Sequence, residues 1–68
     1  MEFVFVSYKE DRTVLADGTI LGQTNQTLPI IRGHHSFTLA GLQNYQPVKV
    51  DAIIQRTTSL SPCKVEFH

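Results

Sequence analysis

Two adjacent histidines, His34 and His35, are the residues of this chain that most suggest metal chemistry. Successive side chains of a strand point to opposite faces, so the pair cannot bind one ion in the usual way. Cys63, His68 or a carboxylate would have to complete a site from elsewhere in the chain, but no Cys-x-x-Cys or His-x₃-His spacing supports one. We therefore expect no metal site and no cofactor, and we place the two imidazoles at a turn and a strand start.

The candidate nucleophile, Cys63, is in phase with Val65 and Phe67. This spacing favours a small apolar core residue, because free cysteines are often fully buried. A nucleophile would also need a neighbouring base and an oxyanion site. The obvious carboxylate, Asp17, precedes Gly18 and is typical of a turn residue. We expect no catalytic residues and interpret the chain as a protein that is not an enzyme.

Nucleic-acid binding is the alternative function, because Phe3, Phe5 and Tyr8 resemble an aromatic platform on which bases stack. Proteins of that class usually have a basic surface. Here the charged segment from Lys9 to Arg12 contains both signs, and the whole chain has a net charge of zero. The composition therefore favours aromatic core residues over a small nucleic-acid-binding β-barrel.

Strands, rather than helices, are expected to position these residues. The chain contains six Val, five Ile and seven Thr but only three Ala and three Glu, and β-branched side chains fit pleated surfaces better than helices. The pair Asp17-Gly18 lies between two β-rich runs, which predicts a hairpin with a type I′ turn. The segment from Phe37 to Tyr45 is a weaker candidate for one helical turn.

Turn residues divide the chain into six or seven short strands at a spacing of roughly 8–12 residues. The expected strands are Glu2 to Tyr8, Thr13 to Ala16, Thr19 to Gly22, Leu28 to Ile31, His35 to Ala40, Val48 to Ile54 and Cys63 to Phe67. Pro29 places its strand at an edge or a strand start. We predict an all-β fold, a small antiparallel β-sandwich, with an SH3-like or OB-type small barrel as the alternative.

The length of 68 residues allows one domain, residues 1–68. A chain of this size buries little surface and is marginally stable. The single cysteine suits a reducing compartment, and neither a signal peptide nor an apolar run long enough for a membrane span is visible. We therefore expect a cytoplasmic protein that does not bind membranes.

The motifs occur in a recognisable order: an opening strand, a strand that ends in Asp-Gly, a Gly-x-Thr string, an apolar strand, a Gly-x-His string and an aromatic turn. These are Phe3 to Ser7, Val14 to Gly18, Ile20 to Thr24, Leu28 to Ile31, Gly33 to Phe37 and Asn44 to Pro47. This order resembles the PEGA domain, a small β-sandwich module, although Asn25 and Asn44 replace the Pro and Gly usual there. The resemblance implies a structural or binding element without catalytic residues.

The first strand suggests how such a module would bind. Glu2 to Tyr8 is apolar on both faces, with Phe3 and Phe5 on one and Val4, Val6 and Tyr8 on the other. A small sandwich usually covers only one face of each sheet, so we predict a contact surface at Val4, Val6 and Tyr8. The surface would meet a protein partner or a second copy, through a sheet edge or face near the first or last strand. The alternative is a monomer in which this strand is central.

Overall fold

Seven short strands account for the regular structure of the chain, for which a computed structural model describes all of residues 1–68. They are β1 (Glu2–Ser7), β2 (Thr13–Ala16), β3 (Thr19–Gln23), β4 (Thr27–Ile30), β5 (Gly33–Leu39), β6 (Val50–Ile54) and β7 (Cys63–Glu66). The predicted strands are confirmed at nearly every position. The helical alternative is wrong, since Phe37 to Leu39 complete β5.

The strands form two separate sheets, a three-stranded sheet in the order β4-β1-β7 and a four-stranded sheet in the order β3-β2-β5-β6. This arrangement confirms the sandwich over the barrel alternative. One strand pair differs from the all-antiparallel prediction, because β7 runs parallel to β1. An alternating apolar pattern specifies which face a strand buries but not its direction, so no local pattern indicates this pairing.

The hairpin between β2 and β3 has the predicted turn. Asp17 and Gly18 have φ angles of 54° and 82°, and a type I′ turn requires positive φ at both central residues. Pro29 lies in β4, at the edge of the three-stranded sheet, as predicted. Gly22 permits close packing of the sheets, because a Cβ there would lie 2.6 Å from Cδ2 of Leu28.

The core lies between the two sheets; β1, β4 and β5 contribute alternate residues, and β2, β6 and β7 contribute one buried residue each. Its buried apolar residues are Val4, Val6, Tyr8, Val14, Leu28, Ile30, Phe37, Leu39, Tyr45, Ile54, Val65 and Phe67. Cys63 is half-buried and packs against this cluster, so its predicted place in phase with Val65 is confirmed while full burial is not. Val48, expected in a strand, precedes β6 and is exposed.

We predict that Val6→Lys prevents folding. Val6 is fully buried, and an unpaired buried charge costs several kcal/mol against a total stability of about 5–15 kcal/mol. Circular dichroism and the dispersion of the amide NMR spectrum measure the loss. Val48→Lys is the matched control, because Val48 is 61% exposed. A folded Val6→Lys variant would contradict the central place of β1.

Candidate functional site

Asp17 and His35 form the closest pair of ionisable side chains in the structure. The Nδ1 of His35 lies 2.7 Å from Oδ2 of Asp17, and its Nε2 lies 2.9 Å from the carbonyl oxygen of Ile31. Asp17 also accepts a hydrogen bond from the backbone N–H of Ser36, at 2.9 Å. The ring is buried, so one imidazole joins the β2–β3 turn, strand β5 and the end of β4, which belongs to the other sheet.

Both partners of this ring are hydrogen-bond acceptors, so the geometry favours the imidazolium form of His35, in which both ring nitrogens donate. The hydrogen bond to Asp17 raises the pKa of His35 above its ordinary value of 6.5, although burial acts in the opposite direction. The Ser36 N–H and then His35 lower the pKa of Asp17 below its ordinary value of 3.8. Both shifts favour the charged forms of the two side chains in the folded chain.

The neighbouring serine does not turn this pair into a nucleophilic site. The hydroxyl of Ser36 donates to Asp51 across the β5–β6 pair, and that bond lowers the pKa of Asp51. Since both nitrogens of His35 are engaged elsewhere, no ring nitrogen is free to take the proton of Ser36. Asp17 was predicted as a turn residue; its link to His35 was missed, because it depends on a strand register that local spacing does not reveal.

Stability should fall as the pH rises above 6.5. A raised histidine pKa means that the imidazolium contributes fully below the unfolded value of 6.5, and that this contribution disappears as the pH rises through the folded pKa. The melting temperature of the chain should therefore decrease as the pH rises from 6.5 through the folded pKa of His35, in a way that His35→Gln abolishes.

The control for this pH dependence is His34→Gln, since His34 is exposed and adjacent. That variant should keep the alkaline decrease of the wild type. The loss of stability at acidic pH is not specific to one residue. The pKa values of Glu2, Asp17 and Asp51 are all lowered in the folded chain, and the stability that each carboxylate contributes is lost as the pH falls through its folded pKa. An alkaline decrease of equal size in His35→Gln would contradict the assignment.

Arg12 holds the loop that follows β5. Its Nε and Nη2 donate to the carbonyl oxygen of Ala40 at 3.0 and 2.6 Å, and Nη2 also donates to that of Leu42 at 2.7 Å. Its Nη1 donates to Oδ1 of Asn44 at 2.9 Å. The guanidinium thereby donates hydrogen bonds to loop carbonyl oxygens that do not pair with a strand. The sequence placed Arg12 in a charged turn and gave no sign of this role.

Two tyrosine rings flank the same guanidinium. Its carbon lies 5.8 Å from the ring centroid of Tyr8 and 5.7 Å from that of Tyr45, which is the range of cation–π attraction. Tyr45 in turn donates its hydroxyl hydrogen to the carbonyl oxygen of Leu39, at 3.0 Å. The arginine and the two rings therefore anchor this loop to the core.

Replacing Arg12 by lysine should loosen this loop. A lysine ammonium is a single point charge and cannot reproduce the planar fork of donors. The free energy of unfolding should fall by about 2 kcal/mol, the scale of a hydrogen bond to a charged group, and amide exchange should accelerate in residues 40–46. Lys9→Gln is the control, because Lys9 is exposed and its Nζ lies over the same Tyr8 ring, 5.9 Å from the centroid. Unchanged exchange in Arg12→Lys would contradict the anchoring role.

Glu2 is a buried carboxylate that the sequence reasoning also missed. Its Oε1 accepts hydrogen bonds from the backbone N–H and the hydroxyl of Thr57, at 2.9 and 2.7 Å. Its Oε2 lies 3.4 Å from Nε of Arg32. The hydroxyl oxygen of Thr57 also accepts the N–H of Phe3, at 2.7 Å. These bonds fix the β6–β7 connection to the start of β1.

The predicted contact residues Val4, Val6 and Tyr8 lie in the interior. The structure corrects this choice of residues, because β1 is the middle strand of its sheet and the four-stranded sheet covers the face that bears them. Phe3 and Phe5 lie on the opposite, outer face and are half-buried. The three aromatic residues considered for base stacking are therefore divided between the two faces of β1.

The remaining chemistry-bearing residues are dispersed. His34 is exposed and His35 is buried, so the two adjacent rings point to opposite faces as predicted. No three His, Cys, Asp or Glu side chains lie close enough together to hold a metal ion. The surface has no pocket, and the chain forms no helix that could span a bilayer.

The four edge strands differ in how their unpaired backbone N–H and C=O groups are blocked from pairing with another strand. Pro29 removes an N–H from the outer edge of β4, and an irregularity in the β2–β3 register between Val14 and Leu15 distorts β3. The edge of β7 is closed at its end, where Gln46 and His68 exchange hydrogen bonds of 2.6 and 2.8 Å. Prolines, bulges and covering segments are the usual means of blunting an edge.

β6 lacks each of these devices. The N–H of Asp17 bonds the carbonyl of Ser36, so Ser36 faces β2 and its neighbours in β5 face β6. The register pairs His35 with Ala52 and Phe37 with Val50, which directs the backbone of Asp51 and Ile53 away from the sheet. The side chain of Ile53 is also largely exposed, at 65%.

No known protein family, curated protein or solved structure matches the chain. The geometry of the described residues is therefore the basis for any functional argument. It offers two kinds of site: polar clusters whose hydrogen bonds are used within the fold, and the regular edge of β6, which no such device closes.

Proposed function

We propose that this chain is a non-catalytic β-sandwich module that binds another protein by adding a strand of the partner to β6. The observation that carries the proposal is the free backbone of Asp51 and Ile53 on a regular strand. An extended segment placed beside β6 would pair these donors and acceptors, as in other cases of strand addition. The exposed side chain of Ile53 would supply apolar contact on the outer face.

The non-catalytic part of the proposal is supported by the engagement of the reactive side chains. Both ring nitrogens of His35, the hydroxyl of Ser36 and the guanidinium of Arg12 form hydrogen bonds that hold strands and loops together. A general base or nucleophile requires a group free to exchange protons with a substrate. These groups serve the fold instead.

The family resemblance is part of the same proposal. Asp17-Gly18 forms a turn and Gly33 begins β5, which is how the motifs of a PEGA-like module would be used. A module of that kind serves binding or scaffolding, so the resemblance and the open edge point to the same class of function. The single cysteine supports a reducing, cytoplasmic setting.

The proposal is tested by capturing partners with matched variants. Ile53→Pro removes the free N–H of residue 53 and leaves that of Asp51, and proline is tolerated where the N–H faces solvent. Ile53→Lys blunts the same edge with a charge. The control is Ile20→Lys, because Ile20 is 73% exposed on the edge strand β3 of the same sheet.

A partner captured from the native cell by the wild type and by Ile20→Lys should be lost by both Ile53 variants, all of them folded. In the complex, the amides of Asp51 and Ile53 should become protected from exchange. A partner that still binds Ile53→Pro at full affinity would overturn the proposal. Salt-sensitive binding to DNA or RNA, with no protein bound at β6, would favour the nucleic-acid alternative.

A further inference from the structure

The outer edge of β7 has unpaired backbone groups on two residues of the strand itself. The N–H of Phe67 bonds the carbonyl oxygen of Ser7, and the backbone groups of alternate residues face the same side, so Val65 also faces β1. The N–H and C=O groups of Lys64 and Glu66 therefore face away from the sheet. No loop segment forms a hydrogen bond with them.

The two side chains on this edge have opposite charges. Lys64 and Glu66 lie two residues apart in the strand, so both point to the outer face of the sheet, and both are exposed. Neither forms an ion pair within the chain. A strand with the same sequence and the opposite direction would present these two charges in reverse order, so the edge is complementary to itself.

Only one register of two antiparallel copies places the opposite charges across from each other. A twofold axis at Lys64 pairs the two lysines, and an axis at Glu66 pairs the two glutamates; like charges directly opposite are destabilising. An axis at Val65 places Lys64 of each copy opposite Glu66 of the other, so that two cross-strand ion pairs form. Both residues of each pair face outward, as hydrogen-bonded positions require.

The Val65-centred register keeps the paired segment within residues 63–67. Residues 63–66 form the regular strand, Phe67 extends its pairing with β1, and none of them is a proline. The next outward-facing pair would be Pro62 and His68. Pro62 has no N–H, and both backbone groups of His68 are bonded to Gln46, so the pairing ends there. The chain before β7 bends at residues 59–61.

We infer that two copies of this chain associate through the β7 edge, paired antiparallel about a twofold axis at Val65. The two three-stranded sheets would then join into one continuous sheet. The chain has a net charge of zero, so overall repulsion does not oppose the approach of a second copy. The β6 edge lies in the other sheet, so the dimer would present two free β6 edges, and a partner with two binding segments would bind it more tightly.

The test is an exchange of these charges, followed by sedimentation equilibrium over a series of chain concentrations. Lys64→Glu leaves two acidic residues on the edge and Glu66→Lys leaves two basic ones, so each variant alone should raise the dissociation constant of the dimer by about tenfold or more. An equimolar mixture of the two should associate as the wild type does, and so should the double variant with both charges reversed. Lys9→Glu and Asp11→Lys are the matched controls, because both residues are exposed and lie between β1 and β2, and each should leave dimerisation unchanged.

Amide exchange locates the contact. In the dimer, the N–H groups of Lys64 and Glu66 should become protected, and Ile53→Pro should dimerise as the wild type does. Dimerisation that persists unchanged in both single charge variants, or that is lost in Ile53→Pro, would overturn the β7 contact. A wild type that stays monomeric at every concentration while a partner binds at β6 would overturn self-association and leave the proposed function standing.

Discussion

The unpaired backbone of edge strands is the constraint on which the rest of this structure depends. Two facing sheets have four edges, and each exposes N–H and C=O groups that the core cannot satisfy. Pro29 and the irregular β2–β3 register blunt two of them, and the Gln46–His68 bonds close the end of a third. Because β6 has none of these devices, it is where we expect a partner strand.

Polar side chains form hydrogen bonds that hold the loops and sheet ends in place, which a small apolar core cannot do alone. His35 crosses from the four-stranded sheet to the end of β4, Glu2 holds the β6–β7 connection through Thr57, and Arg12 holds the loop after β5. Every buried side-chain nitrogen and oxygen has a hydrogen-bond partner. A chain of this length has few apolar residues to bury, so these ties fix the loops and the sheet ends around a narrow interior.

Much of the fold could be predicted from local sequence. The Asp17-Gly18 turn, the alternation along β1 and β5 and the edge position of Pro29 each depend on neighbouring residues, and each is confirmed. The parallel pairing of β7 with β1 depends on residues more than fifty positions apart, and no local pattern encodes it. The position of β1 in the middle of its sheet has the same cause, which is why Val4, Val6 and Tyr8 were mistaken for surface residues.

The candidate site was harder to predict, because it is defined by what the strands leave unpaired. The link between Asp17 and His35 depends on the β2–β5 register, and the open edge at Asp51 and Ile53 depends on which side of β6 faces β5. Neither residue pair has a sequence motif. Strand order and register are therefore needed to place the polar clusters in the fold and to propose the free edge of β6 as a binding site.

Residue-resolved amide exchange along β6 tests this account most directly. In the dilute chain, the N–H groups of Ala52 and Ile54 should be protected by β5 while those of Asp51 and Ile53 exchange freely. On binding of a partner strand, Asp51 and Ile53 should become protected as well. Equal protection of all four amides in the dilute chain, or free exchange at Asp51 and Ile53 within a formed complex, would contradict an open β6 edge.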